Sequence, residues 1–368
     1  MPRTTVPAPL HSLAWDGGLE DGRLLILDQR RLPAVVRYVA LRDLEGVIAA
    51  IEEQSVRGAP AVAIAGAYGV VLHLVPRAAR LGARSQALAK HLDQAIAQLS
   101  RLRTTPAHLA RALERQRACF ARHAGHLTAL EMCARLLMEA KRIHREDEEQ
   151  CARIADHGAP LLSEGIVTIG NSGALATGGI GTALGCVIRA HQLGRKLRVF
   201  VGETRPHLQG ARLTCSELQR AGVPAVLLCD SAIAALLADG QIKAAIVAAD
   251  RIAANGDIAA QVGAYQLAVL AKHHGVPFYA AAPAAAFDPT VPEGRRIPID
   301  TCDPEDVRCL RGCRIAPAEV AVWSPGWDIT PARLITALIT DRGVIRAPNA
   351  QKLAPLAEPA AAAAPPAP

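Results

Sequence analysis

Aromatic side chains are scarce: three Trp, four Tyr and four Phe make up 3% of 368 residues. A core for this chain must therefore be aliphatic and alanine-rich, which a 51% hydrophobic content allows. The same scarcity removes the stacking platforms of single-stranded nucleic-acid grooves. Dense basic blocks are missing as well. The 41 Lys and Arg exceed the 34 Asp and Glu to give +7, yet the arginines are scattered, for example at 101, 103, 111, 115, 117, 122 and 135. That distribution argues against nucleic acid as a partner and suits a small anion such as a phosphorylated metabolite. No apolar run is read as reaching the roughly 18 residues of a membrane span, so no membrane association is expected. The nine cysteines at 119, 133, 151, 186, 215, 229, 302, 309 and 313 form no CxxC pair. Cys302, Cys309 and Cys313 have no nearby histidine in sequence, so no metal site is expected. Odd count, wide spacing and the lack of a signal-peptide pattern predict reduced thiols in the cytoplasm.

What is present divides the chain into three segments. Residues 1–157 read as a mainly helical domain preceded by a small β element around Leu24–Leu27. Pro60 suits the first turn of a helix over Ala61–Val75, and amphipathic stretches follow at 84–100, 106–123 and 127–157. From 158 to 348 the pattern changes to short apolar runs separated by helical segments, at 166–169, 198–201, 225–228, 244–249 and 277–281. This alternation predicts an α/β domain on a Rossmann-like, doubly wound parallel sheet. Residues 349–368 are an Ala/Pro-rich tail expected to be disordered.

The stretch Gly165–Gly185 carries the clearest local signal. Ile166–Ile169 is a β-branched strand, Gly170-Asn171-Ser172-Gly173 breaks it, and Ala174–His191 reads as a small-residue helix. A strand–turn–helix junction of this kind points backbone N–H groups at an anion. A tight turn packing on the sheet is the plain alternative. A dinucleotide site is disfavoured, because Gly170-x-x-Gly173 lacks the G-x-G-x-x-G spacing.

In parallel sheets ligands gather beyond the carboxyl ends of the strands. The polar groups that follow the predicted strands are Glu203–Gln209, Asp230, Asp250-Arg251 and Asn255-Gly256-Asp257. Carboxylates converging beside such a turn suit acid–base work on a phosphorylated polyol. Helix caps and ion pairs are the competing roles for Asp230 and Asp257 especially.

Several motifs in order carry a family resemblance: Leu27-Asp28-Gln29, Arg57-Gly58-Ala59-Pro60, His144-Arg145-Glu146-Asp147, Asn171–Thr177, Glu203-Thr204-Arg205-Pro206, Leu208–Thr214, Asp250-Arg251-Ile252, Asn255-Gly256-Asp257 and Asp328–Ala332. From about Trp15 to Arg346 the chain resembles the methylthioribose-1-phosphate isomerases of methionine salvage, relatives of the regulatory subunits of the eukaryotic translation-initiation exchange complex. The resemblance implies a homodimer and a cofactor-free conversion of an aldose 1-phosphate into a ketose 1-phosphate. It implies Asp250 as the acid–base residue and Arg57, Gly58, Ala59, Arg103 and Gln209 as substrate-binding positions.

Four positions depart from the family pattern. Its cysteine before the asparagine is Gly170 here, and its Asn-Lys pair is Ala260-Gln261. Ile169 stands where a histidine is common. Glycine carries no proton, and one positioned acid–base group contributes roughly 10²–10⁴ in rate. Loss of a lysine contact removes about 1.5–3 kcal/mol. Two readings follow: an isomerase in which Ser172 or a nearby thiol substitutes for the missing group, or a non-catalytic paralogue that binds a sugar phosphate or nucleotide.

Overall fold

The computed structural model describes residues 9–81, 85–102, 105 and 107–357. Three antiparallel strands, β1 (Leu13–Asp16), β2 (Arg23–Leu27) and β3 (Tyr38–Leu41), open the fold. Helices α1 (Leu44–Glu52), α2 (Ala59–Leu81), α3 (Ala89–Leu99), α4 (His108–His123) and α5 (Ala129–Gly158) follow. Asp43 caps α1, and a reciprocal capping box between Thr128 and Glu131 starts α5. Helix α2 lies in the middle, against α1, α3, α4 and α5. It runs past the predicted end, through Pro76 to Leu81. The expectation of no membrane-length apolar run needs correction: Ala59–Arg80 is long and apolar enough to cross a bilayer, with 89% of its apolar window buried in the fold. Its Val, Ala, Ile and Leu side chains form the centre of one aliphatic core.

The second half is built on a parallel-rich sheet. Its strands are β4 (Ile166–Thr168), β5 (Val199–Gly202), β6 (Ala225–Leu228), β7 (Ala244–Ala248), β10 (Phe278–Ala281), β15 (Ala337–Thr340) and β16 (Gly343–Arg346). They lie in the order β16-β15-β10-β7-β4-β5-β6, all parallel except β16. Alternation along the strands feeds two cores. Val167, Phe200, Ala245 and Val247 face α8 (Ile233–Ala238) and α9 (Ala264–His273), while Ile166, Val199, Ala244 and Ile246 face α6 (Ala183–Gln192) and the end of α5. Burial on both faces explains why β4, β5, β7 and β10 read as continuous apolar runs, whereas the equally apolar β6 lies at the sheet edge with Leu227 exposed. A smaller sheet, in the order β11-β8-β9-β14, joins β11 (Phe287–Asp288), β8 (Arg251–Ala253), β9 (Ile258–Gln261) and β14 (Trp327–Thr330) beside it, and β12 (Cys309–Leu310) pairs with β13 (Cys313–Arg314) as a separate ribbon. Its strands are too short to stand out in the sequence.

Two local expectations are overturned. Ala174–His191 is not one helix: a 3₁₀ turn at Ala174–Ala176 is followed by a glycine-rich loop, and α6 begins only at Ala183. The tail is not disordered from 349 onward, because Ala350–Leu353 is helical and Ala354–Ala357 forms a 3₁₀ turn; 358–368 lie outside the described residues. Asn349 caps this helix, Lys352 Nζ donates to the Arg346 carbonyl at 2.7 Å, and Leu353 and Leu356 enter the core shared with α9. Two buried leucines outweigh the weak propensity of so short an element. Replacing the fully buried Leu353 with Ala is expected to cost about 2–5 kcal/mol in urea denaturation. An unchanged midpoint would show that the segment does not dock.

Candidate active site

The strand order reverses at β4, whose neighbours β5 and β7 are reached by connections running in opposite directions. A cleft opens beyond the carboxyl ends at such a reversal. Gly170 lies just beyond β4 and Asp250 just beyond β7, so the topology brings them together. Both line a cleft of about 390 Å³ with Arg57, Gly58, Ala59, Gln209 and Gln261. Arg57–Ala59 arrive from the helical half, at the start of α2. Gly58 has φ +94°, and a Cβ there would lie 2.3 Å from the Ala176 Cα, so only glycine permits this approach. Ala260 does not reach the cleft. Alternation along β9 turns Gln261 toward it and leaves Ala260 fully buried in the core. Arg103 lies outside the described residues.

Hydrogen bonds tie the wall together. The Gln209 carboxamide donates to Gln261 Oε1 at 2.9 Å, and Gln261 Nε2 donates to the Gly326 carbonyl at 3.2 Å. Turned end for end, the Gln209 amide accepts from Arg57 Nη2 at 2.8 Å and donates to the Thr204 carbonyl at 3.2 Å. Trp327 Nε1 donates to Asp250 Oδ2 at 2.6 Å, which fixes that carboxylate on the cleft wall.

The glycine-rich turn is held from within. Gly170 has φ +79°; its N–H donates to Thr204 Oγ1 at 2.8 Å and its carbonyl accepts from Thr214 Oγ1 at 2.6 Å. A Cβ here would meet Gln261 only at 3.4 Å, so a side chain has room but the left-handed backbone strains it. The N–H of Ala174, expected to face an anionic ligand, donates instead to the buried Glu217 Oε2 at 2.6 Å. An internal carboxylate already serves this turn. Ser172 Oγ accepts from the Leu184 N–H at 3.2 Å, so its hydroxyl serves the entry to α6.

The other acids separate by role. Asp230 accepts from the N–H groups of Thr204 and Arg205, both at 2.8 Å. Asp257 accepts from Gly294 and Ala332, and Asp328 from Gly263 and Tyr265. Asp230 and Asp257 hold loops, and Asp328 holds the start of α9. Sequence reasoning missed Trp327, Asn171 as a side chain, and the grouping of Cys302 and Asp306 with His207 of the polar segment Glu203–Gln209, all on the cleft wall. Both polar atoms of the Asn171 carboxamide are buried without a hydrogen-bond partner. Position 171 stood inside a quoted motif, whereas no sequence signal joins 207 to 302.

A model of the initiation factor 2 subunit family matches residues 55–347. The chain belongs to that family. Curated family relatives include the methylthioribose-1-phosphate isomerase of Thermus thermophilus, 45% identical over 335 residues, covering 91% of this chain and 94% of the relative. The enzyme of that name from Pelotomaculum thermopropionicum is 45% identical over 346 residues, covering 94% and 93%. Among solved structures, the 5-methylthioribose 1-phosphate isomerase of Pyrococcus horikoshii superposes with a TM-score of 0.84 at 36% identity, covering 96% of this chain and 98% of that one. A structure titled translation initiation factor eIF-2B, subunit delta, from A. fulgidus gives 0.80 at 37% identity, covering 94% and 99%. The family fold thus carries two kinds of name, and the cleft has to separate them.

Burial sets the ionisation of the turn's carboxylate, pushing Glu217 up to about 8; the N–H groups of Ala174 and Leu175 oppose the shift. A raised carboxylate pKa means the folded state holds a proton that the unfolded chain has released. Its contribution is full below the unfolded value and is lost as pH rises through the folded one. Asp147 and Asp328, both pushed by burial to about 6, act in the same direction. Stability measured by urea is therefore expected to fall by up to about 1.4 kcal/mol per pH unit from Glu217 alone across pH 5–8. Glu217→Gln should flatten that slope; equal slopes in the two proteins would refute the assignment.

Proposed function

We propose that this protein is an aldose–ketose isomerase that converts methylthioribose 1-phosphate into methylthioribulose 1-phosphate in methionine salvage. On this reading it works as a homodimer, without a cofactor, and the sheet-bearing half is a Rossmann-like domain. The names of its 45% identical relatives support the substrate. The observation that carries the reading is the Asp250 carboxylate, held by Trp327 in a cleft that Arg57 and Gln209 also line.

Phosphate on the anomeric oxygen removes the free aldehyde on which ordinary sugar isomerases act. The C1–ring-oxygen bond must break, the ring oxygen gains a proton, and the 2-hydroxyl loses one. One hydrogen passes from C2 to C1, leaving a carbonyl at C2. Arg57 suits the phosphate, because a guanidinium grips such oxygens with two parallel hydrogen bonds. Asp250 suits the 2-hydroxyl proton, since an ionised carboxylate is acceptor-only and Trp327 holds this one on the cleft wall. Gln209 and Gln261 offer amides to sugar hydroxyls.

Incubation with methylthioribose 1-phosphate, followed by NMR, should show the C2 carbonyl of the ketose. Asp250→Asn should lower kcat by roughly 10²–10⁴-fold, and Arg57→Ala should chiefly raise KM. The bare Gly170 favours a second reading, a protein that binds the sugar phosphate without turning it over. Saturable binding of ribose 1-phosphate by calorimetry, with no ketose formed, would establish that one instead.

A further inference from the structure

The isomerisation moves two protons, and Asp250 is one carrier. Gly170 offers none. Another titratable group on the cleft wall is assembled from segments far apart in sequence. Cys302 Sγ lies 3.3 Å from His207 Nε2, and His207 Nδ1 lies 3.5 Å from Asp306 Oδ2. All three side chains line the cleft that holds Asp250. His207 is 10% exposed and Asp306 38%, so the imidazole is mostly buried while its carboxylate partner meets solvent. The backbone ties the thiol to the Asp250 wall: the Cys302 N–H donates to Ser324 O at 2.8 Å and the Gly326 N–H to Asp300 O at 2.9 Å. Gly326 then leads into Trp327, which grips Asp250.

Thiol, imidazole and carboxylate in sequence form an activation chain: the imidazole takes the thiol proton, and the carboxylate steadies the imidazolium. The charged groups around Asp306 are Asp303, Arg57 and Arg205; burial and Asp303 raise its pKa, and the two arginines lower it. Among the described residues no three His, Cys, Asp or Glu side chains are grouped to hold a metal ion.

We propose that Cys302 is a catalytic residue of this cleft, activated by His207, with Asp306 as the positioning residue. The role rests on the isomerase reading above. The Cys302–His207 pair gives its proton to the ring oxygen as the C1–O bond breaks, and Asp250 takes the proton of the 2-hydroxyl. One proton leaves the pair and one arrives at Asp250, and solvent resets both between turnovers.

Two measurements on the full-length protein test this. In the NMR assay, Cys302→Ala and Cys302→Ser should both lower kcat by roughly 10²–10⁴-fold with KM little changed. Asp306→Asn should move the pH profile of kcat. Near-normal kcat in the folded Cys302 variants overturns the proposal. Independently, iodoacetamide labelling resolved by peptide mass spectrometry should modify Cys302 faster than the exposed Cys229 and Cys313. His207→Asn should abolish that advantage, and ribose 1-phosphate should protect Cys302 alone. If the parent protein makes no ketose, rapid, protected labelling still establishes the activated thiol while the isomerase reading falls. Slow labelling removes the thiol's role whatever the turnover.

Discussion

The contact between Gly58 and Ala176 is the constraint on which the cleft depends. Main chain from the start of α2 meets main chain from the turn after β4 so closely that no Cβ fits between them. This contact seats the helical half over the carboxyl ends of the strands and delivers Arg57 to the side of the cleft that the sheet lacks. The stretch that makes this contact also walls the cleft, through Gly170, Asn171 and Ser172. The loop after β4 is a packing seam, gripped by Asp147 of α5 through the Gly178 N–H at 2.6 Å.

Four carboxylates of the sheet-bearing half satisfy backbone. Glu217, Asp230, Asp257 and Asp328 each accept from N–H groups of loops, or of the start of α9, that carry no regular ladder. Buried amides need partners, and a carboxylate accepts several at once. The consequence is selective. Once these acids are committed to structure, Asp250 and the Asp306–His207–Cys302 array are left on the cleft wall, where proton transfer is useful.

The relatives show why fold alone cannot decide the activity. A chain titled as an isomerase and one titled as an initiation-factor subunit superpose on this protein with comparable scores and comparable identity. The aliphatic cores and the sheet order serve either role. Chemistry resides in a few side chains at the strand ends.

Much was legible in the sequence by itself. Uninterrupted apolar runs marked β4, β5, β6, β7 and β10 but not β15 or β16; all five except the edge strand β6 are buried on both faces and need no polar alternation. Helical periodicity marked α3, α4 and α5, and the motif order identified the family. Arg57, Gln209 and Asp250 stand in motifs of that family and meet at one cleft. Tertiary structure decided the rest. The Ala174–His191 segment reads as one helix by propensity, yet close packing against α5 and capture of the Ala174 N–H by Glu217 break it. Residues 350–357 look like low-complexity tail, yet Leu353 and Leu356 find a core. Ala260 and Gln261 are adjacent in sequence, and the pleat sends one into the core and the other to the cleft. Cys302 and His207, 95 residues apart, carry no common signal in one dimension. Local patterns record what each segment can bury; only the folded chain decides which distant groups share a cleft, because that depends on how separate segments pack together.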